Sequence, residues 1–240
     1  MTEANRLSWS TQRFDAWAIA FGSAEAEAER IITEPERIIH RIFLFIISIA
    51  GKRICNVQGF HGSIAVALAL LGAEVQIIDF SKENRRFALD LAAAAQVSVD
   101  YVVCDIIEAV SLDLPHKFDV PVLELGILHY HQNPDDFFII LRHLAADDGI
   151  LLSNEFHPVQ RKMFCPDGPQ DYFYDEPVAA DVPNPDIAVV SLGRCQYRFW
   201  SMGNILTAAI KPGFTIARFG EHPDRTDPTI PSSFTLFAYA

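Results

Sequence analysis

The sequence is poor in basic residues and contains no apolar run long enough to span a membrane. It has 19 Lys and Arg against 31 Asp and Glu, which gives a formal net charge of −12. Proteins that bind a phosphate backbone usually need a basic face, so we expect no nucleic-acid partner, and the charge is explained by solubility. The apolar run at residues 42–50 is shorter than the about 20 residues that span a bilayer, so we also expect no membrane partner.

Cysteines are few and lack the spacing of a metal site. Cys55 and Cys104 lie in apolar, strand-like runs, and Cys165 and Cys195 are isolated. This usage favours reduced core thiols in a cytoplasmic protein. The N-terminus is polar and carries no early apolar run, so no signal peptide is expected. With 240 residues, half of them apolar, the chain can bury one substantial core.

The most informative segment lies at residues 53–79. An apolar stretch is followed by a turn that contains Gly59 and Gly62, then by an alanine-rich stretch, and then by a second apolar stretch that ends at Asp79. This order predicts a strand–helix–strand unit. Open α/β sheets bind their ligands in the loop at the carboxyl end of such a first strand.

The loop itself indicates the ligand. Its glycines allow a sharp turn and the close approach of a bound group, and the amides near Ser63 can receive an anion. Asp79 can accept hydrogen bonds from two ribose hydroxyls. A dinucleotide would require a G-x-G-x-x-G loop, which residues 58–62 lack. The pattern favours a nucleoside with a small anionic tail, and a unit that binds no ligand is the alternative.

Strands alternate with helices from residue 53 to about residue 157, which predicts a parallel, doubly wound sheet. The predicted strands are 53–57, 74–79, 99–104, 118–124, 149–154, 214–219 and 233–239. The predicted helices are 5–20, 23–31, 33–47 (with a capping box at Thr33 and Glu36), 63–71, 82–95, 134–146 and one beginning after Ser201. Pro121 lies inside the fourth strand, where a missing amide predicts a local distortion. Residues 158–199 are rich in proline and lack periodicity, which is typical of a lid or a binding loop.

Several motifs resemble those of the class I S-adenosylmethionine-dependent methyltransferases. The Asn56–Gly62 loop is similar to the glycine-rich turn of that family. Four further segments resemble motifs of a bacterial branch of small-molecule methyltransferases: Glu124-Leu-Gly-Ile-Leu-His-Tyr130, Glu155-Phe-His-Pro158, Glu221-His-Pro223 and Phe234-Thr-Leu236. The resemblance implies a mostly parallel, seven-stranded Rossmann-like sheet with an antiparallel last strand. It divides the chain into an N-terminal helical cap (1–50) and a cofactor-binding domain (51–240) with a lid insertion (158–199).

The resemblance also implies the cofactor S-adenosyl-L-methionine and a small-molecule methyl acceptor, and it leaves a homodimer open. It assigns cofactor binding to the loop and to the ends of the second, third and fourth strands: Asn56, Gly59, Gly62, Asp79, Phe80, Ser81, Asp105, Ile106, Leu123 and Glu124. Asp79 would hold the ribose and Phe80 the adenine face. The alternatives are a helix-capping carboxylate at position 79 and a turn residue at position 105.

Catalytic candidates follow the fourth and fifth strands. His129, Tyr130 and His157 are our candidates, and the two imidazoles are expected to converge on one cleft as general bases. With His131 and Glu155 they also form a ligand set that suits a transition metal, which we keep as a minor alternative. Substrate binding is predicted for Trp9, Phe14, Trp17, Glu155, Tyr172 and Tyr174. These aromatics would enclose the acceptor, unless they pack on the outer helices instead.

Two functions therefore compete. The first is methyl transfer to an oxygen, nitrogen or carbon nucleophile of a small molecule. The second is a methyltransferase-like protein without efficient catalysis, suggested by Gln58 and Phe60, which stand where the family carries small residues. A dinucleotide-dependent dehydrogenase is disfavoured by the missing glycine spacing.

Overall fold

The structure, a computed structural model, describes residues 2–10, 13–43, 48–112, 114, 116–181 and 194–240. Its strands are β1 (Arg53–Val57), β2 (Glu74–Asp79), β3 (Asp100–Val103), β4 (Val120–Glu124), β5 (Ile150–Phe156), β6 (Val178–Asp181), β7 (Arg194–Tyr197), β8 (Thr215–Pro223) and β9 (Pro231–Tyr239). Its helices are α1 (Glu3–Ser10), α2 (Arg13–Phe21), α3 (Ala24–Thr33), α4 (Pro35–Ile38), α5 (His40–Phe43), α6 (Ser63–Leu70), α7 (Lys82–Ala94), α8 (Pro134–Leu144) and α9 (Met202–Ile210).

The main sheet has the predicted topology. Its strand order is β3–β2–β1–β4–β5–β9–β8. The first five strands pair in parallel, and β9 is antiparallel to both β5 and β8. The chain reverses its direction of winding between β1 and β4, which is the point where open α/β sheets bind ligands. The prediction of a doubly wound, mostly parallel, seven-stranded sheet with an antiparallel last strand is confirmed.

The sheet is covered on both faces, as its near-continuous apolar strands require. One core contains Trp17, Ile31 and Phe87 and is formed with the N-terminal helices, α6 and α7. The other contains Phe137 and Phe214 and is formed with α8 and α9. The N-terminal helices therefore share a core with the sheet.

The central strand β4 accommodates its proline without a shift of register. Its pairing with β1 runs from Val120 to Val122, with Pro121 opposite Cys55. Its pairing with β5 begins one residue later, at Val122. The predicted distortion is therefore wrong for the described register, because the proline lies beside the start of the β4–β5 ladder.

The N-terminal region departs from the prediction after α3. Helices α1 and α2 cover the described part of the helix expected at 5–20, and residues 11–12 lie outside the described residues. The helix expected at 33–47 is replaced by α4 and α5, and residues 44–47 lie outside the described residues. The predicted capping box is also wrong. The Thr33 hydroxyl donates back to the Glu29 carbonyl at 2.7 Å, and Glu34 precedes α4 without a side-chain cap.

The insertion carries structure of its own. It contains a π-helical segment at Gln160–Phe164 and the β6–β7 hairpin, and residues 182–193 lie outside the described residues. The side-chain amide of Asn5 in α1 donates to the Gln196 carbonyl at 2.8 Å, and its oxygen accepts the Gln196 amide at 2.7 Å. The insertion and α1 are thereby joined. No helix in the described part of the chain is long and apolar enough to cross a membrane.

Candidate functional site

A narrow pocket opens at the carboxyl ends of β1, β2 and β4. We call it the switch-point pocket, and its walls include Trp9, Gln58, Phe60, Asp79, Phe80 and Tyr130. The pocket therefore brings together three of the residues predicted for cofactor or substrate binding and the two residues that depart from the family pattern. It lies where the winding of the sheet reverses, as expected for a ligand site.

Asp79 ends β2 and is buried. Its Oδ1 accepts the Ser81 backbone amide at 2.8 Å, and its Oδ2 lies 3.5 Å from the side-chain nitrogen Nδ2 of Asn84. Burial raises the pKa of Asp79 to about 6, against the lowering effect of these hydrogen bonds. The N-cap of α7 is Ser81, whose hydroxyl accepts the backbone amide of Asn84. Helix capping therefore does not account for Asp79.

The loop after β1 is held in an uncommon backbone conformation. Gln58 and Phe60 have φ values of 47° and 49°, a left-handed region that few non-glycine residues adopt. Gln58 Oε1 is paired with a ring nitrogen of His131 at 2.7 Å. Strained residues of this kind cluster at ligand sites.

The two loop glycines are required by packing. A Cβ at Gly59 would clash with the Asn56 side chain, and one at Gly62 would lie 2.6 Å from the Ala88 Cβ. Gly62 also has a φ of 92°. These contacts add a physical reason for the glycines beyond the close approach of a ligand. Asn56 is buried, and within the described residues its Oδ1 has no hydrogen-bond partner.

Helix α1 closes the pocket. The Trp9 ring lies 5.2 Å from Phe60 and 5.8 Å from Tyr130, centroid to centroid. Arg6 of the same helix forms an ion pair with Asp105 at 2.6 Å. Asp105 also caps the 3₁₀ segment that follows it, by accepting an amide with its other oxygen. Ile106, the next residue, is buried in the α8–α9 core.

The amino end of α6 faces a carboxylate of the protein itself. The Ser63 hydroxyl donates to Glu27 Oε1 at 2.7 Å, and Glu27 is also bonded to Arg30. Glu27 therefore contacts the first residue of α6, beside the amides at which the sequence predicts an external anion. Sequence reasoning missed it because nothing distinguishes it from the exposed glutamates around it in α3.

His61, in the same loop, is sandwiched between aromatic rings. It lies 4.3 Å from Phe21 and 4.9 Å from Trp17, centroid to centroid. Both ring nitrogens are buried without a hydrogen-bond partner among the residues described. Burial lowers the pKa of His61 to about 4, because the charged ring would lose its hydration.

We expect His61→Phe to flatten the acid side of the stability curve. A histidine with a lowered folded-state pKa contributes full stability above its unfolded pKa near 6.5, and this contribution is lost as the pH falls towards 4. The variant lacks this dependence, so near pH 4.5 it should exceed the wild type by about 1–2 kcal/mol, allowing for partial exposure of the ring. Urea titrations at several pH values measure this. The exposed His143→Phe is the control, and a wild-type slope retained in His61→Phe would contradict the assignment.

A second carboxyl with a raised pKa, that of Glu124, lies at the end of β4. Glu124 Oε1 accepts the Asn154 side-chain amide at 2.8 Å, and Oε2 is buried with no partner in the described part of the chain. Burial raises the pKa of Glu124 to about 7. Leu123, also predicted to contact the cofactor, is buried in the α8–α9 core.

Glu155 holds the turn that follows β4. Its Oε1 accepts the backbone amides of Ile127 and Leu128, each at 3.0 Å. Burial raises the pKa of Glu155 to about 7. These contacts fix the 3₁₀ segment Leu128–Tyr130. Glu155 thus orients two catalytic candidates, His129 and Tyr130.

A second cavity lies on the other side of this turn. We call it the arginine pocket; its walls include His129, Glu155, Phe156, Arg161, Arg198 and Trp200. Tyr130 lines the switch-point pocket and His129 lines the arginine pocket. Their ring centroids are 4.3 Å apart, so these neighbouring rings separate the two cavities.

The histidines differ in their surroundings. His129 Nε2 is buried and, within the described residues, unpartnered, and burial lowers the pKa of His129 well below its ordinary value. His157 is engaged at both nitrogens, by Glu221 at 2.9 Å and by the Val159 amide at 3.1 Å. His157 is therefore tied to the β8–β9 hairpin. Across the described ranges, no three His, Cys, Asp or Glu side chains are grouped to hold a metal ion.

The remaining aromatic candidates contact other elements. Phe14 packs on Phe87 of α7 at 5.8 Å, and the Trp17 indole donates to Asn84 at 2.8 Å. The Tyr172 hydroxyl accepts the amide of Met202, at the start of α9, at 3.0 Å. Tyr174 is 40% exposed. Of the predicted substrate residues, Trp9 lines the switch-point pocket and Glu155 lines the arginine pocket.

No protein-family model matches the sequence, and no curated protein matches it. Solved structures do match. Magnesium protoporphyrin IX methyltransferase from Synechocystis PCC 6803, with bound S-adenosylmethionine, has a TM-score of 0.64 at 16% identity, covering 100% of this chain and 97% of that chain. S-adenosylmethionine-dependent methyltransferases from Mesorhizobium loti and Methanosarcina mazei have TM-scores of 0.61 and 0.60, both at 18% identity, covering 86% and 84% of this chain and 98% and 96% of theirs. The chain therefore has the fold of these enzymes.

Proposed function

We propose that the protein transfers a methyl group from S-adenosyl-L-methionine to an oxygen, nitrogen or carbon nucleophile of a small molecule. The observation that carries this proposal is Asp79, a buried carboxylate at the end of β2 that lines a pocket at the switch point of the sheet. Structures with the same fold include one with this cofactor bound. The net charge of −12 supports a small-molecule acceptor over nucleic acid, and the free cysteines support a cytoplasmic setting.

The residues at the pocket suit such a cofactor in their donor and acceptor chemistry. Asp79 would accept hydrogen bonds from the ribose hydroxyls, and Phe80 would cover the adenine. The unpartnered Asn56 Oδ1, buried beneath the loop, would be an acceptor on the methionine side. When bound, the cofactor supplies a methyl group on a positively charged sulfur. The protein then has to align the acceptor and exclude water, which α1 and the insertion can do.

We expect Asp79→Asn to weaken S-adenosylmethionine binding at least about tenfold, since each charge-assisted hydrogen bond is worth roughly 1.5–3 kcal/mol. Calorimetric titration with S-adenosylmethionine, S-adenosylhomocysteine and NAD measures this. Because the pKa of Asp79 is about 6, wild-type affinity should also fall as the pH drops below 6, and Asp79→Asn should not show that fall.

The control is Asp90→Asn, on the exposed side of the same helix α7. It should bind the cofactor like the wild type. Unchanged affinity in a folded Asp79→Asn protein removes Asp79 from the site, and preferential binding of NAD contradicts the proposed cofactor.

A second candidate is a methyltransferase-like protein with weak or no catalysis. It is favoured by one observation: Trp9 and Phe60 lie against each other in the pocket where the nucleoside would bind. Titration separates the two candidates. Absence of binding by both S-adenosylmethionine and S-adenosylhomocysteine at millimolar concentration would favour the second.

A further inference from the structure

Arg161 is a buried cation with an unusual lack of partners. It lies in the π-helical segment after β5, and only 8% of its surface is exposed. Its guanidinium carbon lies 4.3 Å from the Phe156 ring centroid, and Nη1 is 3.7 Å from the Cys165 sulfur. Its Nε and Nη2 are buried without a hydrogen-bond partner anywhere in the described ranges. Irregular helical turns of this type are frequent at functional sites.

This arrangement leaves a positive charge without compensation. No ion pair joins Arg161 to a carboxylate in the part of the chain that the structure describes, and arginine keeps its proton in proteins. Burial of a charge is unfavourable unless a counter-ion or hydrogen-bond acceptor meets it. The two unpartnered nitrogens thus call for an acceptor that bears negative charge.

A second arginine and an imidazole nitrogen face the same cavity. Arg198 Nε is buried and lacks a partner among the described residues, and its guanidinium stacks on Trp200 at 4.6 Å. His129 Nε2 is in the same condition. Arg161, Arg198 and His129 all line the arginine pocket, whose other walls include the rings of Phe156 and Trp200. The pocket therefore combines two cationic side chains with flat apolar walls. Its one carboxyl among the described lining residues, that of Glu155, is bonded to the backbone amides of Ile127 and Leu128.

We propose that the arginine pocket binds the carboxylate of an aromatic methyl acceptor, with Arg161 as the principal anchor and Arg198 as the second cation. A guanidinium matches a planar carboxylate with two parallel hydrogen bonds. The aromatic walls suit a flat ring beside that carboxylate. As a description of the acceptor, this inference rests on the proposed function, because the arginine pocket and the switch-point pocket lie on either side of the neighbouring rings of His129 and Tyr130.

Calorimetric titration of the protein, with and without saturating S-adenosylhomocysteine, tests the inference. The probes are benzoate, 4-hydroxybenzoate and indole-3-carboxylate, each compared with its neutral primary amide. The wild type should bind at least one carboxylate about tenfold or more tightly than the amide, as expected when one charge-assisted pair is lost. Arg161→Gln should abolish that preference while binding of the amide and of S-adenosylhomocysteine is unchanged, and Arg161→Lys should restore it in part.

The matched control is Arg86→Gln, because Arg86 is an exposed arginine that stacks on Phe14 outside the pocket. It should keep the preference. If Arg161→Gln fails to fold, Arg198→Gln takes its place in the same comparison. The inference is overturned if no carboxylate is preferred by the wild type, or if the preference survives in the folded arginine variants. Failure of S-adenosylhomocysteine to bind is a separate result, which contradicts the proposed function. The carboxylate and the amide can still be compared in that case, in titrations without the cofactor product.

Discussion

Alanine in place of His129 is expected to lower the rate of methyl transfer by about 100- to 10,000-fold if the acceptor must lose a proton, the range for removal of a general base. His129 lines the arginine pocket, and its Nε2 is buried without a partner among the described residues. An acceptor anchored there by its carboxylate would lie beside this nitrogen. Among the described residues that line the pocket, His129 is the one histidine. Cofactor binding should be unaffected, because His129 is not part of the switch-point pocket.

The pH dependence follows from the direction of the His129 shift. Burial holds the pKa of His129 well below its ordinary value, so the ring is neutral, and able to accept a proton, throughout the neutral range. The wild-type rate should therefore show no acid limb from His129 near pH 6–7. A limb in that range would come from the carboxyls whose pKa burial raises, namely Asp79 at about 6 and Glu124 and Glu155 at about 7.

Rate-against-pH curves for His129→Ala and His157→Ala make the comparison, with His157→Ala as the matched control. His157 is held by Glu221 and by the Val159 amide, so its loss should change stability more than rate. The carboxyl limb should persist in both variants. A His129→Ala enzyme that retains the wild-type rate would remove His129 as the base, and a larger loss in His157→Ala would transfer the role to it.

The sequence was sufficient for those elements that depend on local signals. The apolar runs of β1 and β2, with Gly62 between them, predict the first strand–helix–strand unit almost to the residue. Ser81 and Ser201 mark the starts of α7 and α9 because a serine side chain caps the amides directly after it. When strands and helices alternate in this way, the rules for connecting parallel strands allow few sheet topologies. The strand order of the sheet could therefore be predicted.

Contacts between residues far apart in the chain could not be predicted. Glu27 meets Ser63, and Arg6 meets Asp105, across 36 and 99 residues respectively, and no periodicity encodes either pair. The burial of Arg161 could not be predicted either, because arginine side chains are mostly exposed.

Replacement of Trp9 is expected to have a large effect on stability. It is 4% exposed and packs on Phe60 and Tyr130. Trp9→Ala should lower the free energy of unfolding by about 3–5 kcal/mol, the usual range for removal of a buried large aromatic ring. Urea titration followed by circular dichroism measures this loss.

The same variant should bind S-adenosylmethionine about tenfold more tightly, because a pocket that is already open does not have to be cleared of a buried side chain before binding. Stability and affinity would then change in opposite directions. Phe14→Ala is the control, since Phe14 packs on Phe87 and under Arg86, away from the pocket; it should lose stability and keep the wild-type affinity. Weaker cofactor binding by Trp9→Ala would mean that the indole is a wall of the occupied cofactor site, whereas the sequence predicts that Trp9 encloses the methyl acceptor.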